Sequence, residues 1–353
     1  MDLYTLQKMK KWQLWAAASI GIVVVVGMMV REFDVDALRE MELSPAFFLG
    51  IGSAVVLFVL QNLMLTLRFQ LLTGRRITLL QAFRVNVLCE FTSAVTPSVV
   101  GGSGLTFIYL NREGVTMGRC LFAMFGSLLA DEAFLAVSSL VLYLMVPSGV
   151  LFCFSDEVQS MDVVSEWLKG GMQVLFLGCI VAVAVWTIAL YWLLLHSPHS
   201  LGWVLKWCCK VSFLRRFRQR VKKLSEDMVV ASAESKQEGC TFWVRLMTYT
   251  SLAWMSRFAI VVAIIYAFRT PGSLLVVWIR QWVIWMVSIL IPTPGGSGVA
   301  ELMFRLYYSD FLPNASVAIV AALLWRAIFY YPYLIMGLMV LPKWMERNKA
   351  AKG

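Results

Sequence analysis

Several charged and amide side chains lie inside long apolar runs, where an idle membrane segment would carry none. Gln61, Asn62, Glu90, Asp131, Glu132, Arg257, Glu301 and Arg326 fall within such runs, and Arg84 and Arg280 fall at their borders. In hydrocarbon each ionised group costs about 2.5–3.5 kcal/mol on insertion scales, so a set carrying both signs must pair or line a wet cavity. Its chemistry is that of anion handling: carboxylates can exchange protons or partners, and a guanidinium fork holds phosphate oxygens through two parallel N–H donors. The same residues could also be static pairs that hold helices together. His196, His199 and the seven cysteines lack metal-ligand spacing. No metal or other cofactor is expected.

These residues cluster around two interruptions. Thr96–Gly104 reads TPSVVGGSG and Ile291–Glu301 reads IPTPGGSGVAE. Proline removes a backbone donor and glycine admits non-helical dihedrals, so a helix is expected to break at each. Irregular backbone at membrane depth is tolerated only against protein or a water-filled cavity. Gly101, Gly102 and Ser103 in the first break, and Gly295, Gly296 and Ser297 in the second, are therefore candidate ligand contacts. The helices expected after Gly104 and Gly298 would present free amide donors, a natural seat for phosphate. GGSG alone is a weak motif and does not match a nucleotide-binding P-loop.

The two GGSG elements stand 194 residues apart, and neighbours follow suit: Arg84 and Arg280 are 196 apart, Gln61 and Arg257 196, Glu132 and Arg326 194. The chain thus reads as two homologous halves, and interrupted apolar segments at matched places point to a transporter's binding site.

The elements that must position these groups are membrane helices. The chain of 353 residues is 60% hydrophobic and 15% charged, with mean hydropathy +0.74. A soluble core cannot use so much apolar surface. Spans are expected at Trp12–Val30, Phe47–Leu67, Cys120–Val146, Met172–Leu195, Phe242–Phe268 and Ser316–Leu341. Re-entrant hairpins are expected at 79–112 and 274–308. The fold class is an all-α polytopic membrane protein of about six spanning helices plus two re-entrant broken hairpins, arranged as an inverted-topology repeat. Two full crossings per hairpin would leave every loop on the same side. Residues 1–195 form the first half, 196–241 a basic cytoplasmic linker, 242–342 the second half and 343–353 a cytoplasmic tail.

Lysine and arginine placement puts both termini in the cytoplasm, in the cell inner membrane. The first hairpin then enters from the cytoplasm and the second from outside. Lys206–Lys223 carries eight basic and no acidic residues, interleaved with Trp207, Phe213 and Phe217. This amphipathic stretch is expected either to fix orientation or to hold anionic inner-leaflet lipid. The net charge of +10 needs no nucleic-acid partner, and an oligomer is compatible with the sequence.

TPSVVGGSG followed by an apolar arm and NREG, then PTPGGSGVAE, then LLWRAIFYYPYLIMG at Leu323–Gly337 resemble the membrane domain of lysylphosphatidylglycerol synthases, which also occurs as stand-alone flippase-like proteins. The resemblance covers both halves. It implies a membrane protein that moves phospholipid or polyprenol-linked head groups between leaflets, with Glu301 and Arg326 at its motif positions. The chain runs only about ten residues past its last expected helix, without the soluble transferase domain of the synthases, so synthesis is not expected. After the first GG it departs from many members with Ser103 and Thr106, and the head group stays open. A lipid translocase is therefore the leading expectation. A membrane-embedded transferase using Glu301, Glu132 or Asp131 as general base is the alternative, although no donor site is apparent. An ion-coupled solute transporter is the third.

Overall fold

The computed structural model describes residues 44–95, 99–153, 162–196, 230, 233, 239–268, 272–288, 299–313 and 315–350. Trp12–Val30, Lys206–Lys223 and the second break, including Gly295, Gly296 and Ser297, lie outside the described residues, as do the side chains of Gly101, Gly102, Ser103 and Glu301.

The described chain is helical. Helix α1 (Pro45–Leu72) starts where Ser44 accepts from the Phe47 amide and Pro45, at the first helical position, needs no donor. It ends where Thr73 turns its hydroxyl onto the Phe69 carbonyl and Gly74 takes φ +65°. The Arg119 guanidinium caps the buried Leu72 carbonyl, donating from Nε at 2.8 Å. Helices α2 (Leu79–Val95) and α3 (Val99–Arg112) form a packed pair, followed by α4 (Met117–Met145), the single turn α5 (Ser148–Leu151) and α6 (Asp162–Tyr191). The second half gives α7 (Gly239–Ala267), the pair α8 (Leu274–Ser288) and α9 (Val299–Tyr308), then α10 (Ala315–Phe329) and α11 (Tyr331–Ala350).

Five stretches are long and apolar enough to cross a membrane: Pro45–Leu72, Met117–Met145, Lys169–Leu194, Gly239–Ala267 and Val317–Pro342. They match five of the six expected spans. Their outward faces carry exposed apolar side chains such as Val56, Val59, Leu144, Val181 and Ile188, as contact with lipid requires.

Three expectations are corrected. The first break does not reach its glycines: α3, of 14 residues, already begins at Val99, so Gly101, Gly102 and Ser103 have helical backbone. A glycine in a helix costs only roughly 0.5–1 kcal/mol, too little for GGSG to end one that packing holds. Second, the return helix Ser316–Leu341 is two helices. Pro332 lacks an amide and its ring opposes the Ile328 carbonyl, so α10 closes at Tyr330, whose amide bonds the Arg326 carbonyl at 2.8 Å. Third, the span expected to end at Leu67 runs on to Leu72, so that Arg68 lies a turn inside α1 and is buried.

The repeat is visible in the packing. Helices α1 and α7 form the most intimate pair, antiparallel: Phe47 meets Phe268, Gly50 meets Ala263 and Ala267, Met64 and Leu65 cluster with Ala253, and Arg68 reaches Thr250. Neighbour relations survive exchange of the halves: α1–α2 with α7–α8, α2–α3 with α8–α9, α3–α4 with α9–α10, and, across the halves, α4–α7 with α10–α1. Homologous helices that run antiparallel make the repeat inverted.

The two short pairs sit at opposite ends of α1 and α7. The α2/α3 pair shares a core with Phe69, Leu72, Phe242 and Leu246, whereas α8/α9 shares one with Ala54, Ile260 and Ile264.

Candidate functional site

Where α1 and α7 cross the repeat axis, Gln61 meets Arg257, its own counterpart 196 residues on. With the Gln61 amide oriented so that its oxygen faces the guanidinium, it accepts from Arg257 Nη2 at 3.0 Å, from Nε at 3.2 Å and from the Tyr333 hydroxyl at 3.2 Å. Rings close over the cation: its Cζ lies 4.9 Å from the Trp254 ring, 5.2 Å from Trp285 and 5.0 Å from Phe329. Glu90, near the inner end of α2, gives it one carboxylate oxygen at 2.9 Å. The Arg257 side chain keeps 13% of its surface exposed and Glu90 23%. One arginine thus gathers residues from α1, α2, α7, α8, α10 and α11, including the inner ends of both short pairs.

Trp254 links this cluster to a second ion pair. Its ring faces Arg257 while its indole N–H donates to Asp131 Oδ1 at 2.7 Å, and the same oxygen accepts from Arg68. Arg68 is buried, so the Asp131 charge is what makes its burial tolerable. Around the pairs the polar groups bond one another: Asn86 donates to Asn62 Oδ1 at 2.9 Å.

Of the expected site residues, the structure brings together Glu90 and Arg257 and sets Asp131 beside them through Trp254. Glu132, the next residue, joins none of the described ion pairs. Arg326 is buried on α10 with its guanidinium 5.1 Å from the Tyr330 ring, and the Tyr330 hydroxyl bonds the Ala94 carbonyl at the inner end of α2. Arg84 and Arg280 lie away from this centre, one at each end of the molecule. Arg84 contacts Glu113 at 3.5 Å, and Arg280 donates to the Tyr307 and Val150 carbonyls.

Sequence reasoning missed Arg68, Trp254, Trp285, Phe329 and Tyr333. For Arg68 a signal was present: it falls 63 residues before Asp131 on a helix that only ends at Leu72, so pairing within the membrane was open to it. The aromatics carried none, since Trp and Phe are ordinary in membrane helices.

A planar cation fixed by rings and an amide, held by a carboxylate through one oxygen, can receive an anion without moving. The carboxylate is the part that can leave, because among the described residues a single contact retains it.

Comparisons with known proteins agree with this architecture. The chain is 22% identical over 316 residues to an UPF0104 membrane protein from Archaeoglobus fulgidus, covering 84% of this chain and 88% of that protein. Residues 14–337 match the family model for the lysylphosphatidylglycerol synthase TM region, and the chain belongs to that family.

Proposed function

We propose that this protein moves a phosphate-bearing lipid head group, on a phospholipid or a polyprenol carrier, between the leaflets of the cell's inner membrane. The observation that carries the reading is Arg257 on the repeat axis, reached by the inner ends of two short helix pairs from opposite ends. A head-group phosphate takes the fork of Arg257 and displaces Glu90, which holds it monodentately. Gln61 and the three rings keep the guanidinium in place during the exchange. Acyl or prenyl chains stay outside, along the exposed apolar faces. Arg326, whose guanidinium lies beside the Tyr330 ring, continues the polar path from Arg257.

Helix lengths favour re-entrant pairs. At 1.5 Å per residue, α2, α3, α8 and α9, with 17, 14, 15 and 10 residues, measure roughly 25, 21, 22 and 15 Å against a hydrocarbon core of about 30 Å. In this reading both termini are cytoplasmic, the α2/α3 pair enters from the cytoplasm, and the protein catalyses no covalent step.

Reconstitution into liposomes with a panel of labelled lipids is the test. Phosphate-bearing lipids should exchange between leaflets and a phosphate-free diacylglycerol analogue should gain nothing from the protein. Equal stimulation of the analogue, or none for any lipid, refutes the reading, and a new lipid species in the extract favours a transferase.

A further inference from the structure

Arg84 and Arg280 occupy matched places, and so do their surroundings. Arg84, on α2, contacts Glu113 at the end of α3, and Glu113 accepts from the Trp344 indole of α11 at 2.9 Å. Arg280, on α8, donates to the Tyr307 carbonyl of α9 at 2.8 Å and to the Val150 carbonyl of α5 at 3.3 Å. Glu113 and Tyr307 stand 194 residues apart, as do Val150 and Trp344. Each triad therefore joins the two helices of one short pair and ties them to the other half of the chain, at opposite ends of α1 and α7.

The two ties differ in kind. Arg280 is 5% exposed, uses backbone carbonyls and lies 5.3 Å from the Phe311 ring, so no competing anion can take over a partner. Arg84 is 18% exposed along its side chain and makes a long contact to one carboxylate. Arg112 lies beside that carboxylate's tether, its Cζ 5.2 Å from the Trp344 ring. An anionic head group arriving here meets two guanidinium groups and competes with Glu113 for Arg84. From this closed arrangement, α2 and α11 then separate along the seam that Phe91, Ala94 and Leu334 now close.

Building on the translocase reading, we propose that Arg84, Glu113 and Trp344 form a gate that an anionic head group opens, whereas the Arg280 triad stays shut in the same step. The test uses a chain freed of its native cysteines and carrying Glu113→Cys and Trp344→Cys, joined by a short thiol-cleavable bis-methanethiosulfonate. Exchange of an acyl-labelled phosphatidylglycerol in liposomes should fall at least tenfold on cross-linking and return on reduction. Undiminished exchange in the locked protein overturns the gate and leaves the translocase reading standing. Protein that exchanges no lipid even when reduced counts against the translocase reading instead, and the gate is then judged by water access to the seam. For that, Ala94→Cys is reacted with a water-soluble thiol reagent, alone and with Glu113→Gln or Trp344→Phe. Either latch change should speed labelling severalfold, and an unchanged rate with both overturns the gate.

Discussion

Replacing Arg257 with lysine keeps a positive charge beside Glu90 and removes everything that is peculiar to arginine. The two hydrogen bonds to Gln61 are lost, each worth roughly 0.5–1.5 kcal/mol net. Three rings at 4.9, 5.2 and 5.0 Å lose a flat cation, but an ammonium retains part of that attraction. Stability should drop by about 1–3 kcal/mol, which a helical membrane protein survives. Head-group binding should suffer more. A lysine offers phosphate a point charge in place of a fork, forfeiting one charge-assisted hydrogen bond of about 1.5–3 kcal/mol, or roughly ten- to a hundredfold in rate at limiting lipid. Glu90→Gln is the complementary change: with no competing charge on Arg257, head groups should bind more tightly and leave more slowly. The measurement is initial lipid exchange in liposomes per folded molecule, with the thermal midpoint of each purified variant. A well-folded Arg257→Lys protein exchanging lipid within threefold of the parent would refute the reasoning.

Three further outcomes are expected. Gly337→Ala should destabilise by about 1–3 kcal/mol in thermal unfolding, because a Cβ there would meet the Phe91 ring at 2.2 Å. Arg326→Lys should fold yet lose most exchange, whereas Arg326→Ala should also unfold more easily; near-parental exchange per folded molecule in Arg326→Lys would reduce Arg326 to a structural role. Single-cysteine variants should be labelled by an impermeant maleimide from outside at Cys153 and not at Cys240, which lie near opposite ends of α1 and α7; the reverse pattern would invert the orientation.

What was legible in the sequence was whatever repeats or is local. Apolar length gave the spans, and the recurrence of GGSG gave the halves. The offset that links Gln61 to Arg257 was visible, but its meaning was not. Two residues at matched places touch only on the symmetry axis, and that requires knowing that α1 and α7 run antiparallel in contact. Pairing was the weakest reading. The described ion pairs are Arg68–Asp131, Arg257–Glu90 and Arg84–Glu113. Charge type and depth do not say which of several arginines an acid faces, because that depends on helix rotation. The start of α3 at Val99 escaped for a different reason: two glycines look like a break, although their cost is small enough for packing against α2 and α4 to override.

A dimer of identical chains can place only like beside like on its axis: two arginines, which repel, or two glutamines, which carry no charge. Joining both halves in one polypeptide lifts that restriction. Gln61 can then cradle the guanidinium that its counterpart supplies, and a single carboxylate can approach from one half alone, since the place matching Glu90 in the other half is Met286. The midpoint of the molecule thus holds one cation facing one acid, a polarity that perfect symmetry forbids. An anion bound at this point would therefore meet different chemistry on its two sides.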